Sequence, residues 1–207
     1  MTADKRQPII FLVSAPSGAG KTTLCDMLKN EFRDSLFGIV TVTTRPPRPS
    51  EVDGESYRFF SISDFEMHVE MGSFLEQAVV HGHRYGTPRD TVGHALKSGR
   101  DVLLNLDVQG AASVRAAIQS APAGSDLRAP LVDIFIAPPS LDTLRTRLIS
   151  RQQDSAEVIE RRLQQAAAEM ARWREYSYLV INDDLKTAYD QLRAIVLAER
   201  ARIRKAK

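Results

Sequence analysis

Ile9-Ile10-Phe11-Leu12-Val13-Ser14-Ala15-Pro16-Ser17-Gly18-Ala19-Gly20-Lys21-Thr22 carries five apolar residues into a turn holding two glycines and a lysine. An uninterrupted apolar run of this length fits a buried strand. From Lys21 to Phe32, Leu24, Cys25 and Leu28 recur on one side of a helical pattern. Strand, Gly-rich turn and helix together are the context of a phosphate-binding loop. Backbone N–H groups of such a loop converge on phosphate oxygens, and the opening helix adds the positive end of its dipole. Lys21 then reaches the terminal phosphates, and the Thr22 hydroxyl ligates Mg²⁺. The stricter form of the pattern opens on glycine where this chain has Ala15, but Gly18 and Gly20 still permit close approach. A bound nucleoside triphosphate is expected.

Outward from the loop, strand and helix patterns alternate, which predicts a parallel sheet with helices on its faces. Ile39 to Thr43 is expected to be the second strand, and Asp101 to Leu106, Leu131 to Ile136 and Tyr178 to Ile181 the later ones. The segment Thr44-Arg45-Pro46-Pro47-Arg48-Pro49-Ser50 is irregular, because three prolines fix φ and remove donors. From there to about Tyr85 the chain changes character. Tyr57–Ser61 and Phe74–Val80 read as short strands around a small helix, with a Ser63/Glu66 capping box and a stop at Gly72. This insertion is expected to be a separate lobe, and Thr87-Pro88 to start the following helix. Ser140 caps a helix to about Ser150, Gln152–Ser155 interrupts it, and a long helix resumes at Ala156.

The 207 residues suffice for one buried α/β core with a small inserted part. With 43% hydrophobic and 26% charged residues the composition is that of a globular protein. The net charge of +2 hides a basic tail. Glu199 to Lys207 holds five bases and one acid, +4, leaving the rest near −2. A basic tail without a basic stripe argues against a general nucleic-acid binder. The single cysteine, Cys25, excludes an intramolecular disulfide. No run has the length of a membrane span, and no signal peptide is evident, so a cytoplasmic location is expected.

Several polar groups fall where chemistry is expected. Asn105 and Asp107 share a face at a strand's carboxyl end, which is where α/β sheets bind ligands. Arg45 and Arg48 flank the stiff prolines and could fork a second phosphate; a solvated basic loop would look the same. Glu76 stands alone in the apolar strand Phe74-Leu75-Glu76-Gln77-Ala78-Val79-Val80, and period two does not decide whether it faces inward. Arg147, Arg151, Arg161 and Arg162 span the interrupted helix pair, either as a flap for phosphoryl transfer or as a surface paired with Asp154, Glu157 and Glu160.

Taken together, the chain from about Ile9 to Glu199 resembles the guanylate kinase family. The resemblance is carried by Ser14–Thr22, Thr43-Thr-Arg-Pro-Pro-Arg48, Glu51-Val-Asp-Gly54 with Tyr57, Phe74-Leu-Glu76 and Tyr85-Gly-Thr87. It continues through Asp107-Val-Gln-Gly110, Ile136-Ala-Pro-Pro139, Arg162-Leu163 and Val180-Ile-Asn-Asp183. It implies one domain over 8–200 with a core of 8–40, 89–146 and 163–200, a GMP-binding lobe at 41–88, a lid at 147–162 and a tail at 201–207. It implies transfer of a phosphoryl group from ATP to GMP, with Mg²⁺. ATP would lie on Ala15 to Thr22, with Asn182 at the adenine and Thr22 on the metal. Arg45, Arg48, Tyr57 and Tyr85 would hold the GMP phosphate, with Glu51 in the same half-site. Thr41, Glu76, Thr87 and Asp107 would read the guanine. Lys21, Arg45, Arg147, Arg151 and Arg162 would act on the transferred group.

The chain departs from the family pattern at Ala15, at Asn105, where the family usually has an acid, and at Arg151-Gln152-Gln153, where it usually has Arg-Gly-Thr. Two rival readings share these motifs: a catalytically silent binding domain of the same shape, and a ribose bisphosphate phosphokinase. Oligomeric state is undecided at this stage.

Overall fold

A computed structural model describes residues 6–49, 51–80, 82–150 and 155–204. The apolar run forms strand β1 (Ile10–Ser14), buried at every position. Around it lie β2 (Leu36–Gly38), β7 (Asp101–Leu106), β8 (Leu131–Ala137) and β9 (Tyr178–Ile181), all parallel in the order β2-β7-β1-β8-β9. A strand covered on both faces needs no polar alternation, which explains the apolar run. Its residues sort by parity. Ile9, Phe11 and Val13 pack with Leu24, Cys25 and Leu28 of α1 (Lys21–Glu31) and with Ala188, Leu192 and Val196 of α7 (Leu185–Ala201). Ile10 and Leu12 pack on the other face with Val92 and Leu96 of α3 (Arg89–Lys97) and Val114 of α4 (Val108–Ser120).

The predicted strand at Ile39–Thr43 is divided between two sheets. The core edge strand is β2, three residues upstream. Ile39 gives its N–H to Leu103, and the chain then leaves the core. Val42–Thr43 is β3 of a second, four-stranded sheet with β4 (Arg58–Phe59), β6 (His83–Pro88) and β5 (Phe74–Val80), in the order β4-β3-β6-β5. The β-branched run marks extended backbone on both sides of this crossing, so its composition held no sign of the break.

Two local expectations shift for related reasons. The helix of this lobe, α2 (Ile62–Glu70), is capped by Ser61, whose hydroxyl accepts the Asp64 N–H at 3.0 Å, not by Ser63. Glu66 instead pairs with Arg84. The earlier start places Phe65, fully buried, in a stack on Phe74 with ring centroids 4.7 Å apart. Thr87 does not cap a helix either. Strand β6, unforeseen in the sequence, runs through Pro88 and keeps Thr87 in the ladder, so α3 starts at Arg89.

Beyond the core, α5 (Leu141–Ser150) and α6 (Ala156–Met170) pack on one another through Leu144, Leu148, Ile159, Leu163 and Ala166. Ser140 and Ser155 cap them, the Thr143 N–H reaching Ser140 at 3.0 Å. Arg151 lies outside the described residues. Among those described, no helix is long and apolar enough to cross a membrane.

Candidate active site

A cleft of about 300 Å³ opens at the carboxyl ends of β1 and β7, the point where the strand order reverses direction. Its floor is the 15–23 loop and the start of α1. One wall is Asn105, Leu106, Asp107 and Gly110; the other is lobe residues Thr41, Arg48, Tyr57, Glu76, Ala78, Val80 and Tyr85. Arg162 and Glu169 of α6 close the top.

Long-range contacts hold the loop in shape. Gly18 and Gly20 have φ of 91° and 92°, the left-handed region that favours glycine. A Cβ on Gly20 would stand 2.3 Å from the Asn182 side-chain nitrogen. That nitrogen donates to the Ala19 carbonyl at 2.7 Å. Asn182, expected at the adenine, is buried and is spent on bracing the phosphate loop. Lys21 donates to the Leu106 carbonyl at 2.8 Å, and burial lowers its pKa while the nearby carboxyls Asp107 and Glu169 oppose the shift. The Thr22 side chain lines the cleft beside it.

Glu76 faces inward because of a bulge. The pairing of β5 with β6 slips between Phe74 and Glu76, so consecutive residues Leu75 and Glu76 are both buried. Leu75 enters the core beneath α3 and α4, and Glu76 lines the cleft. Its Oε1 accepts the Thr87 hydroxyl at 2.6 Å, while Oε2, equally buried, takes no hydrogen bond among the described residues. A Cβ on Gly110 would lie only 3.3 Å from that oxygen, so glycine keeps the space open. Burial pushes the Glu76 carboxyl up to about 7; the Thr87 hydroxyl works against the rise, and the charge of Asp107 adds to it.

Asp107 lies one residue beyond β7 and caps α4, accepting the Gly110 N–H at 2.8 Å. Asn105 lines the same wall, as their shared face required, and its Oδ1 is buried without a partner. Arg48, Tyr57 and Tyr85 reach the cleft. Arg45 and Glu51, expected on the same phosphate, are bonded to each other by two contacts of 2.8 and 2.9 Å. Burial works against the Glu51 carboxylate, but Arg45 and the Arg48 N–H hold its pKa below the usual value. The Arg45 guanidinium also lies 5.4 Å over the Tyr57 ring. This pair supports the wall from behind. Arg147, expected over the transferred group, is exposed and donates to the Asp183 carbonyl at 3.1 Å.

Glu169 was missed in the sequence. The available signal was its place on the inner stripe of α6, with Arg162 and Ala166 at helical spacing. Burial raises its pKa to about 7, the charge of Asp107 adds to this, and Lys21, the Ser17 N–H and Arg172 oppose it.

A parallel sheet with a glycine-rich loop after its central strand, and a second polar half-site facing that loop, defines a nucleotide-dependent phosphotransferase. Residues 5–199 match the guanylate kinase family. Among similar proteins, the guanylate kinase of Chelativorans sp. (strain BNC1) is 45% identical over 199 residues, 96% of this chain and 86% of that one. The guanylate kinase of Rhizobium meliloti (strain 1021) is 47% identical over 197 residues, 95% and 85%. The crystal structure of guanylate kinase from Anaplasma phagocytophilum superposes with a TM-score of 0.74 at 29% identity, covering 96% of this chain and 89% of that one. The chain belongs to the guanylate kinase family.

Proposed function

We propose that the chain transfers the terminal phosphoryl group of ATP to GMP, giving ADP and GDP, with ATP on the 15–22 loop and GMP against the lobe. The observation that carries the base choice is Glu76. Guanine presents a ring N–H and an exocyclic amine side by side; adenine has an acceptor in place of that ring N–H. An ionised carboxylate with one oxygen held by Thr87 and the other unpartnered in the cleft suits the guanine edge. Leaving that oxygen unpaired costs about 1–3 kcal/mol, and more for a charge, which becomes discrimination against adenine. Thr41 and Asp107 line the same half-site. Arg48, Tyr57 and Tyr85 are the groups for the GMP phosphate, and Arg45 and Glu51 hold that wall in place.

The attacking group is already a phosphate oxygen, so no general base is needed. The protein's work is alignment and charge neutralisation. Lys21 and the loop amides cradle the donor phosphates, and Arg162 approaches from α6. Mg²⁺ fits the oxygen donors present: the Thr22 hydroxyl opens on the cleft, and the buried, unpartnered Asn105 Oδ1 and the Asp107 carboxylate face the same space. When bound, the ion neutralises charge building on the phosphates.

The test is a coupled assay of ADP release with GMP, dGMP, AMP, IMP and a ribose bisphosphate as acceptors. GMP is expected to be turned over far better than AMP. Comparable turnover of the two would overturn the assignment, and turnover of the ribose bisphosphate alone would replace it.

A further inference from the structure

Glu169 has no part in the transfer as described, yet it lines the ATP half of the cleft beside Ser17, Lys21 and Asp107. The Ser17 N–H donates to its carboxylate, and the Lys21 ammonium attracts it. Those two groups belong to the loop that cradles the donor phosphates. A carboxylate on α6 therefore competes for the donors that a phosphate needs, with a second carboxylate, Asp107, close enough to oppose its charge.

We propose that Glu169 is a displaceable occupant of the phosphate loop that makes nucleotide binding depend on the metal. The inference rests on the assignment of ATP to this loop. Metal-free ATP brings about four negative charges toward two carboxylates; the magnesium complex brings two fewer. Repulsion between unit charges a few ångströms apart in a partly buried site is worth at least about tenfold in affinity. It acts on free ATP and largely spares MgATP. The positive groups facing Glu169 are Lys21, Arg172 and, on its own helix, Arg162; Asp107 is the opposing negative group. The effect adds to direct ligation by Thr22, because it works by excluding the wrong species.

Glu169→Gln isolates the charge. The amide oxygen can still accept the Ser17 N–H, and the side-chain volume is nearly unchanged. Calorimetric titration of the full chain at pH 8, where a carboxyl held at about 7 is mostly ionised, compares ATP in EDTA with ATP in excess Mg²⁺. The variant should bind metal-free ATP about tenfold or more tightly than the parent, with MgATP affinity changed less than about threefold. Added salt should narrow the metal-free difference. If metal-free affinity is unchanged, or both affinities move by one factor, Glu169 only braces the loop and the proposal falls. Glu169→Asp, which keeps the charge, should retain the parent's metal preference; losing it would also overturn the proposal. Failure of the parent to bind MgATP at all would overturn the ATP assignment itself, an outcome distinct from an unchanged ratio.

Discussion

At the scale of single residues, Glu76 makes a sharp statement about pH. A carboxyl held at about 7 by burial is protonated in most free molecules below that pH. Guanine needs the ionised form, since both of its edge groups donate. GMP binding must then expel a proton below pH 7 but not above it. GMP affinity is expected to fall by about tenfold for each pH unit below 7 and to level off above 7. Glu76→Gln removes a titrating group, so the same titration on that variant should show a flatter profile and a weaker preference for GMP over AMP. Parallel profiles would place the controlling group elsewhere. Asn105 supports a second prediction. An amide oxygen can hold a water of the metal's shell, but without the charge of the acid usual at this position. Rate against free Mg²⁺ at saturating ATP and GMP should reach its midpoint at lower metal in Asn105→Asp than in the parent. Coincident curves would mean that Oδ1 does not face the metal's outer shell.

Among the elements, α5 and α6 carry the arginines in question and divide them. Arg162 lies on the inner stripe of α6 and lines the cleft, whereas Arg147 on α5 is anchored to the Asp183 carbonyl at the surface. Arg162→Ala should lower kcat for GMP more than it raises KM, the mark of an interaction made in the transition state. Arg147→Ala serves as the internal comparison, with a stability change below about 1 kcal/mol. Steady-state kinetics on both variants separates the two helices; equal losses of kcat would show that α5 also closes over the transferred group. Much at this level was readable beforehand. The strands β1, β7, β8 and β9, the helices α1 and α7 and the interruption before Ala156 all follow from periodicity and caps. What escaped were β6 and the crossing at Ile39–Thr43, both extended segments whose partners are distant in sequence.

Across the whole molecule, Asp101 ties the ends of the chain to the start of β7. Fully buried, it receives two bonds from Arg6 at 2.8 and 2.9 Å, one from Arg200 at 2.8 Å and the Ile9 N–H at 2.8 Å. Removing a buried partner leaves its counter-charges uncompensated, so Asp101→Ala should cost about 3–5 kcal/mol in urea unfolding. Asp101 sits at the amino end of β7, about 17 Å along the strand from the cleft. The kcat of folded protein should therefore hardly change; a large drop would show that the clamp reaches the site. By itself the sequence determined the fold class, the phosphate loop and most of the cleft's residues, because turn chemistry and apolar period act over a few neighbouring positions. Only the tertiary structure decided what those residues do. It turned Glu76 inward through a bulge set by pairing with β6 and left one of its oxygens unpartnered. It gave Asn182 to the loop 163 residues away, brought Asp101 to Arg200, and set Glu169 against Ser17. Such contacts are fixed by the packing of distant elements, and a polar side chain carries no local mark of the partner that packing will give it.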